Sequence, residues 1–292
     1  SENARRKFKF AYATTDHAAV LADPDIDAVL IATRHASHAQ LVCEALRAGK
    51  ATFVEKALAL SREELHLIAR TVSECRNDRL MVGFNRRFAP MIQAVAARFH
   101  RMEYPLVLHY RVHAGRLEPG SWYLDSSEGS RFVGESGHFF DVMAYLSQSR
   151  AVRVNAHVLQ PSTSISDDRE NLVVSVQYAN GSVGNLLYLT QGGAKTPKED
   201  LEVFGGGCTA RLHDFERLQF FERVIARKVR VSREKGQLNE LAAFVAAVRS
   251  GSPMPIPLDV LFNTTLTTLA AVQSVQAASP VDVDATFHTE QD

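Results

Sequence analysis

Cysteine is scarce in this sequence. Its three residues, Cys43, Cys75 and Cys208, are odd in number, lie far apart and form no CxxC or clustered Cys/His spacing, which argues against a disulfide framework or a zinc site. They read as reduced thiols, and no metal is expected. Surplus charge of either sign is also missing. With 33 basic residues against 33 acidic ones and no long lysine and arginine run, neither nucleic acid nor an anionic membrane is an expected partner. A small molecule is. No stretch approaches the roughly 18–20 apolar residues of a membrane span, and the opening SENARRKFKF lacks the apolar core of a signal peptide. The expected location is the cytoplasm. Internal repeats and low-complexity tracts are absent, and 292 residues suffice for two domains of ordinary size. One further absence concerns phosphate binding: no GxGxxG follows an early strand. The glycine run Gly205-Gly206-Gly207 leads into strand-like TARLHDF and reads as a turn, and QGGAK (191–195) reads as a loop.

What is present alternates. From Ile26 to Val82, short β-branched runs take turns with amphipathic segments. AVLIAT (28–33), ATFVEK (51–56) and LMVGF (80–84) read as strands. LVCEALRAGK (41–50) reads as a helix with Gly49 near its C-cap, and SREELHLIARTVSEC (61–75) as a helix opened by a Ser–Glu capping box. This order predicts a parallel sheet with helices on its faces. Beyond Arg87 the pattern becomes α+β. A helix over Pro90–Phe99 precedes the alternating strands VLHYRV, VRVNAHVL, LVVSVQYA and SVGNLLYLT, the last two joined by a hairpin at Asn180-Gly181. GHFFDVMAYL (137–146), KGQLNELAAFVAAVRSG and DVLFNTTLTTLAAVQSVQ read as helices.

In open parallel sheets, ligands bind beyond the carboxyl ends of the strands, and three polar clusters fall there: Thr33-Arg34-His35, Glu55-Lys56 and Asn85-Arg86-Arg87. Polar strand ends are common on solvation grounds alone, so the second half of the chain must supply the reactive partner. His138 and Asp141 are three apart at the expected start of the GHFFDVMAYL helix and point to one side of its first turn. A histidine titrating near neutrality can take the proton of a substrate hydroxyl as hydride leaves its carbon, while a lysine such as Lys56 stabilises the developing alkoxide. From spacing alone, a core histidine, a structural aspartate and a surface lysine are the more frequent readings.

DPDIDAVLIATRHASHAQLVCEALRAGKATFVEKALAL followed by LMVGFNRRFAP resembles the Gfo/Idh/MocA family of glucose-fructose oxidoreductases and inositol dehydrogenases. The resemblance runs on through YRVHAG, Trp122, SRFVGESGHFFD and SREKGQLNELAAFVAAVRSG, and is strongest to the branch fused behind zinc-type alcohol dehydrogenase modules. It implies an α/β fold: a truncated Rossmann-like parallel sheet in residues 1–87, then an α+β domain in residues 88–292 with a mostly antiparallel open sheet. That second domain would form the substrate site and a homo-oligomer interface, and its last helix would pack back on the first domain. By likeness, Lys56 corresponds to the lysine of the family's EKP motif and His138 to its catalytic histidine. NAD or NADP is expected along Thr33, Arg34, His35, His38, Glu55, Lys56, Asn85, Arg86 and Trp122, and substrate at Arg131 and His138. The implied activity is hydride transfer at a hydroxyl carbon of a sugar or nucleotide-sugar derivative. The alternative is a non-catalytic carbohydrate-binding or assembly module that has lost its dinucleotide site.

Several residues depart from the family pattern. Ala57 replaces the proline of EKP; a cis bend before a non-proline costs about 2.5–4 kcal/mol, so the loop can relax to trans and displace Lys56. The acid four residues before the catalytic histidine is Gly134, which leaves Glu135 or Asp141 to orient the imidazole, and Ser130 stands where the branch carries a glycine. The strand, glycine loop and second strand of a complete Rossmann domain are expected before Ser1, so the chain is either part of a longer polypeptide or a truncated relative. The apolar strand NLLYL, expected to be exposed, adds to the case for a homo-oligomer.

Overall fold

The computed structural model describes residues 2–118, 120–159, 170–222, 226–230 and 233–283. After two short helices, α1 (Glu2–Phe8) and α2 (His17–Ala22), the chain forms β1 (Ala28–Ile31), α3 (His38–Arg47), β2 (Ala51–Val54), α4 (Arg62–Cys75) and β3 (Leu80–Val82). The strands pair in parallel in the order β1-β2-β3. β2 and β3 are fully buried, whereas β1 is the outer strand and its Leu30 is 55% exposed. The ends of α4 follow from local chemistry. Ser61 sits in extended backbone and its Oγ accepts the Glu64 amide at 3.2 Å, while Glu64 reaches back to the Leu60 amide at 2.7 Å, one residue before the box position. Arg76, in left-handed backbone, ends the helix. Ser61→Ala is expected to cost about 1 kcal/mol, read as a lower denaturant midpoint at unchanged slope.

The second part begins with α5 (Pro90–Phe99) and β4 (Val107–His113), followed by α6 (Arg131–Ser147). Next come β5 (Ala151–Val158), β6 (Leu172–Tyr178), β7 (Val183–Leu189), β8 (Glu199–Gly205), β9 (Cys208–His213), β10 (Arg217–Phe221) and β11 (Ala226–Arg230). Two long helices, α7 (Gln237–Ser250) and α8 (Leu258–Ala277), and β12 (Val281–Asp282) complete it. The strands make one sheet, β11-β10-β9-β8-β4-β7-β6-β5-β12, in which only the β4–β7 pair is parallel. One face is apolar and covered by helices. Leu108, Tyr110 and Val112, Val174 and Val176, Leu186 and Tyr188 point into it at period two. NLLYL is therefore not an exposed apolar strand, because Leu186 and Tyr188 are core residues. β6 turns into β7 at Ala179-Asn180-Gly181, with Gly181 at φ +86°.

Helix α6 starts at Arg131, not near Gly137, because Ser130 caps it by accepting the Val133 amide at 3.2 Å. His138 and Asp141 thus lie in the middle of the helix instead of its first turn. α8 is buried along most of its length; Thr265 and Thr267 return their hydroxyls to the carbonyls four residues earlier, and Asn263 bonds both backbone groups of Ala151 on β5. The same helix also touches α4 and β3. Among the described residues, no helix is long and apolar enough to cross a membrane.

Candidate active site

The carboxyl ends of β2 and β3 deliver Glu55, Lys56, Gly83 and, through a 3₁₀ turn over Asn85–Phe88, Asn85 and Arg86. Helix α6 faces them with Glu135 and His138. Lys198 comes from the residue before β8, and the start of α7 closes the side with Lys235, Gln237 and Glu240. These eleven residues line one cleft of about 330 Å³. The approach of α7 depends on Gly236, at φ +89°: a Cβ there would lie 2.4 Å from the Asn85 carbonyl oxygen and 2.5 Å from the Ala89 nitrogen.

His138 is 8% exposed, and its buried Nδ1 has no hydrogen-bond partner among the described residues. Lys56 Nζ donates to the Tyr123 hydroxyl at 3.0 Å. The Lys56–Ala57 peptide is cis, so Ala57 does not turn the loop to trans. Beneath it the fully buried His38 sets Nδ1 2.7 Å from the Ala57 carbonyl and Nε2 3.1 Å from that of Thr33. His38 braces the lysine loop and does not line the cleft. His35 is buried too, against the Glu128 carbonyl and the edges of Trp122 and Tyr123, which stack on each other at 4.0 Å. A Cβ at Gly134 would meet His35 Cε1 at 2.4 Å, so an acid cannot stand at that position while His35 packs there. Thr33 and Arg34 are exposed at the end of β1, with Arg34 over the Trp122 ring.

Below the cleft lies Glu199, fully buried, which accepts from Arg86 at 2.8 and 2.9 Å, Tyr110 at 2.8 Å and Lys235 at 2.5 Å. Asn85 donates to the Lys235 carbonyl at 2.7 Å. Three expected roles change. Both carboxylate oxygens of Asp141 are taken by the buried Arg87. Glu135 accepts from Tyr188 at 2.8 Å and lies 3.5 Å from Arg131 Nε, so neither acid orients the His138 imidazole. Arg131 spends its guanidinium on the Gly115 and Ala114 carbonyls at 2.6 and 2.8 Å, behind Glu135 and out of the cleft.

Burial, and then the cations of Arg86, Lys56, Lys198 and Lys235, push the His138 imidazole well below its ordinary range, which leaves it neutral at neutral pH. Burial also depresses Lys198, against the pull of Glu135 and Glu199. For Glu135, burial is outweighed by Lys198, Arg131 and the Tyr188 hydroxyl, and its carboxyl sits below the usual range. Glu240 goes the other way. Burial, followed by Glu55 and Asp141, pushes it up to about 9, so it keeps its proton at neutral pH. A neutral base, cations beside it and carboxyls of both protonation states form a site able to move a hydroxyl proton and to stabilise negative charge on oxygen.

Lys198, Lys235, Gln237, Glu240, Glu199 and Tyr123 escaped the sequence reading. A glutamate on the inward face of β8 breaks its apolar period, and the approach of α7 becomes visible only through the Gly236 contact. Residues 1–84 match the GFO_IDH_MocA family model, described as an oxidoreductase family with an NAD-binding Rossmann fold. The chain is 28% identical over 262 residues to an inositol 2-dehydrogenase of Rhizobium meliloti, covering 80% of this chain and 74% of that protein. It is 29% identical over 171 residues to a scyllo-inositol 2-dehydrogenase (NAD(+)) of Bacillus subtilis, covering 57% and 49%. The chain spans about half the length of several curated relatives it matches. A solved levoglucosan dehydrogenase in complex with NADH and L-sorbose superposes with a TM-score of 0.82 over 97% of this chain and 86% of its own, at 22% identity. Residues 1–84 are thus similar to the Gfo/Idh/MocA oxidoreductase family, and the dehydrogenases named above are similar to the chain over more of its length.

Proposed function

We propose that this cleft transfers hydride between NAD or NADP and a hydroxyl carbon of a sugar-type substrate. The observation that carries the proposal is the neutral His138, whose buried Nδ1 has no hydrogen-bond partner among the described residues, in the same cleft as Lys56, which donates to the Tyr123 hydroxyl. The names of the relatives, inositol and levoglucosan dehydrogenases, agree with it. The nicotinamide end of the dinucleotide fits the strand ends. Gly83 leaves its backbone bare there, and a Cβ on it would approach the Glu55 carboxylate to 3.3 Å. Thr33 and Arg34, exposed beyond the end of β1, and Trp122 beside Arg34 would help to hold the nicotinamide end. Among the described residues no glycine loop offers a pyrophosphate cradle, so the fit concerns that end of the dinucleotide alone. When bound, the dinucleotide accepts or supplies the hydride.

Lys56 polarises the reacting oxygen, and His138 takes its proton on oxidation and returns it on reduction. Lys56→Ala is expected to lower kcat by about 10²–10³-fold, the usual loss on removing one donor to a developing oxyanion. Steady-state turnover combined with calorimetric sugar binding checks this. Lost turnover with retained binding supports an enzyme, whereas no effect on either would remove Lys56 from the site.

A further inference from the structure

We propose that the sugar-type substrate carries an acid group, carboxylate or phosphate, and that Lys198 is the residue that selects it. The inference rests on the reading of the cleft as a dehydrogenase site and names its substrate class. Lys198 is half-buried and held in place by its own carbonyl, which accepts the His113 amide at 2.7 Å, and by its position next to the buried Glu199. Its ammonium has no carboxylate within 4.0 Å among the described residues. The two acids nearest in charge are already occupied. Glu199 is shared by Arg86, Lys235 and Tyr110, and Glu135 by Arg131 and Tyr188. A cation drawn out of water without a partner is unfavourable, and an anionic ligand in the cleft would supply the missing one.

The surroundings of His138 point the same way. Four side-chain cations, Lys56, Arg86, Lys198 and Lys235, line the cleft around this imidazole. Proton uptake during turnover adds a fifth positive charge to that cluster, and charges a few ångströms apart in a partly buried site repel appreciably. A substrate acid group on Lys198 offsets it and raises the proton affinity of His138 when it is needed. Glu55 and Glu240 line the same cleft; Glu55 can accept from sugar hydroxyls and protonated Glu240 can donate to them.

The test is steady-state kinetics of the full chain with NAD or NADP and three substrates: a neutral inositol, a hexose-derived carboxylate and a hexose phosphate. Wild type is expected to prefer an acid substrate over the inositol in kcat/KM, and Lys198→Met to reduce that preference by about 10–100-fold, as loss of a hydrogen bond to a charged group does. Lys198→Arg should restore most of it, and the better of the two acids identifies the group. The acid limb of kcat/KM should also move to higher pH in Lys198→Met, since one cation near His138 is gone. Equal losses on neutral and acidic substrates, or a wild type that favours the inositol, would overturn the inference. Absence of turnover with every substrate would instead sink the dehydrogenase reading. Calorimetry with the sugar carboxylate and the sugar phosphate then decides the inference separately: weakening of either by tenfold or more in Lys198→Met upholds it, and unchanged affinity for both overturns it.

Discussion

His138→Gln is expected to lower kcat by about 10²–10⁴-fold, the range for loss of a positioned general base, while leaving the melting temperature close to wild type. Glutamine retains polarity and nearly the same volume on α6, so packing against Phe84 and Phe139 survives while the titrating group is lost. The pH dependence separates this role from a structural one. His138 is held neutral by burial and by Arg86, Lys56, Lys198 and Lys235, so oxidation should run at a plateau through neutral pH and fall only as the medium becomes acidic enough to protonate the ring. Reduction needs the protonated ring and should favour the acidic side. Turnover of wild type and His138→Gln across pH, in both directions, checks the assignment. A variant retaining its rate within about threefold would rule out the imidazole as the base.

Glu199→Ala should be the most destabilising single change around the site. The carboxylate lies beneath the cleft with no exposure and serves Arg86, Lys235 and Tyr110 at once; against burial, which raises it, the Arg86 and Lys235 cations hold it far below the usual range. Removing it leaves the buried Arg86 guanidinium unpaired, which costs about 3–5 kcal/mol. For a chain of this size that lowers the melting temperature by roughly 10 °C. Tyr110→Phe removes one hydrogen bond to the same carboxylate and should cost only about 1 kcal/mol. Thermal unfolding of both variants tests the ranking. A Glu199→Ala protein melting within about 2 °C of wild type would mean that Arg86 finds another partner.

Much of this arrangement was legible in the sequence because it is local. Period-two and period-3.6 patterns located β2, β3, α4 and α5, and polar residues just past two strand ends marked Glu55, Lys56, Asn85 and Arg86, which the structure gathers in one cleft with Glu135 and His138. What could not be read depends on distant partners. Asp141 looked available to His138 from its spacing, but Arg87, from the 3₁₀ turn after β3, claims both its oxygens. Arg131 and His38 carry functional side chains, yet backbone carbonyls from other loops capture them. Lys198 and Glu240 came from segments whose position is set by the large sheet and by the Gly236 contact, neither of which leaves a short-range mark.

The most direct test of the account is turnover itself. The full chain would be incubated with NAD or NADP and a panel of sugars, inositols and sugar acids, and formation of reduced nicotinamide followed beside a correctly folded Lys56→Ala/His138→Gln double variant. Wild type is expected to show saturable reduction with at least one substrate, and the double variant none above background. Equal rates in the two proteins, or no reduction by wild type with any substrate, would contradict it.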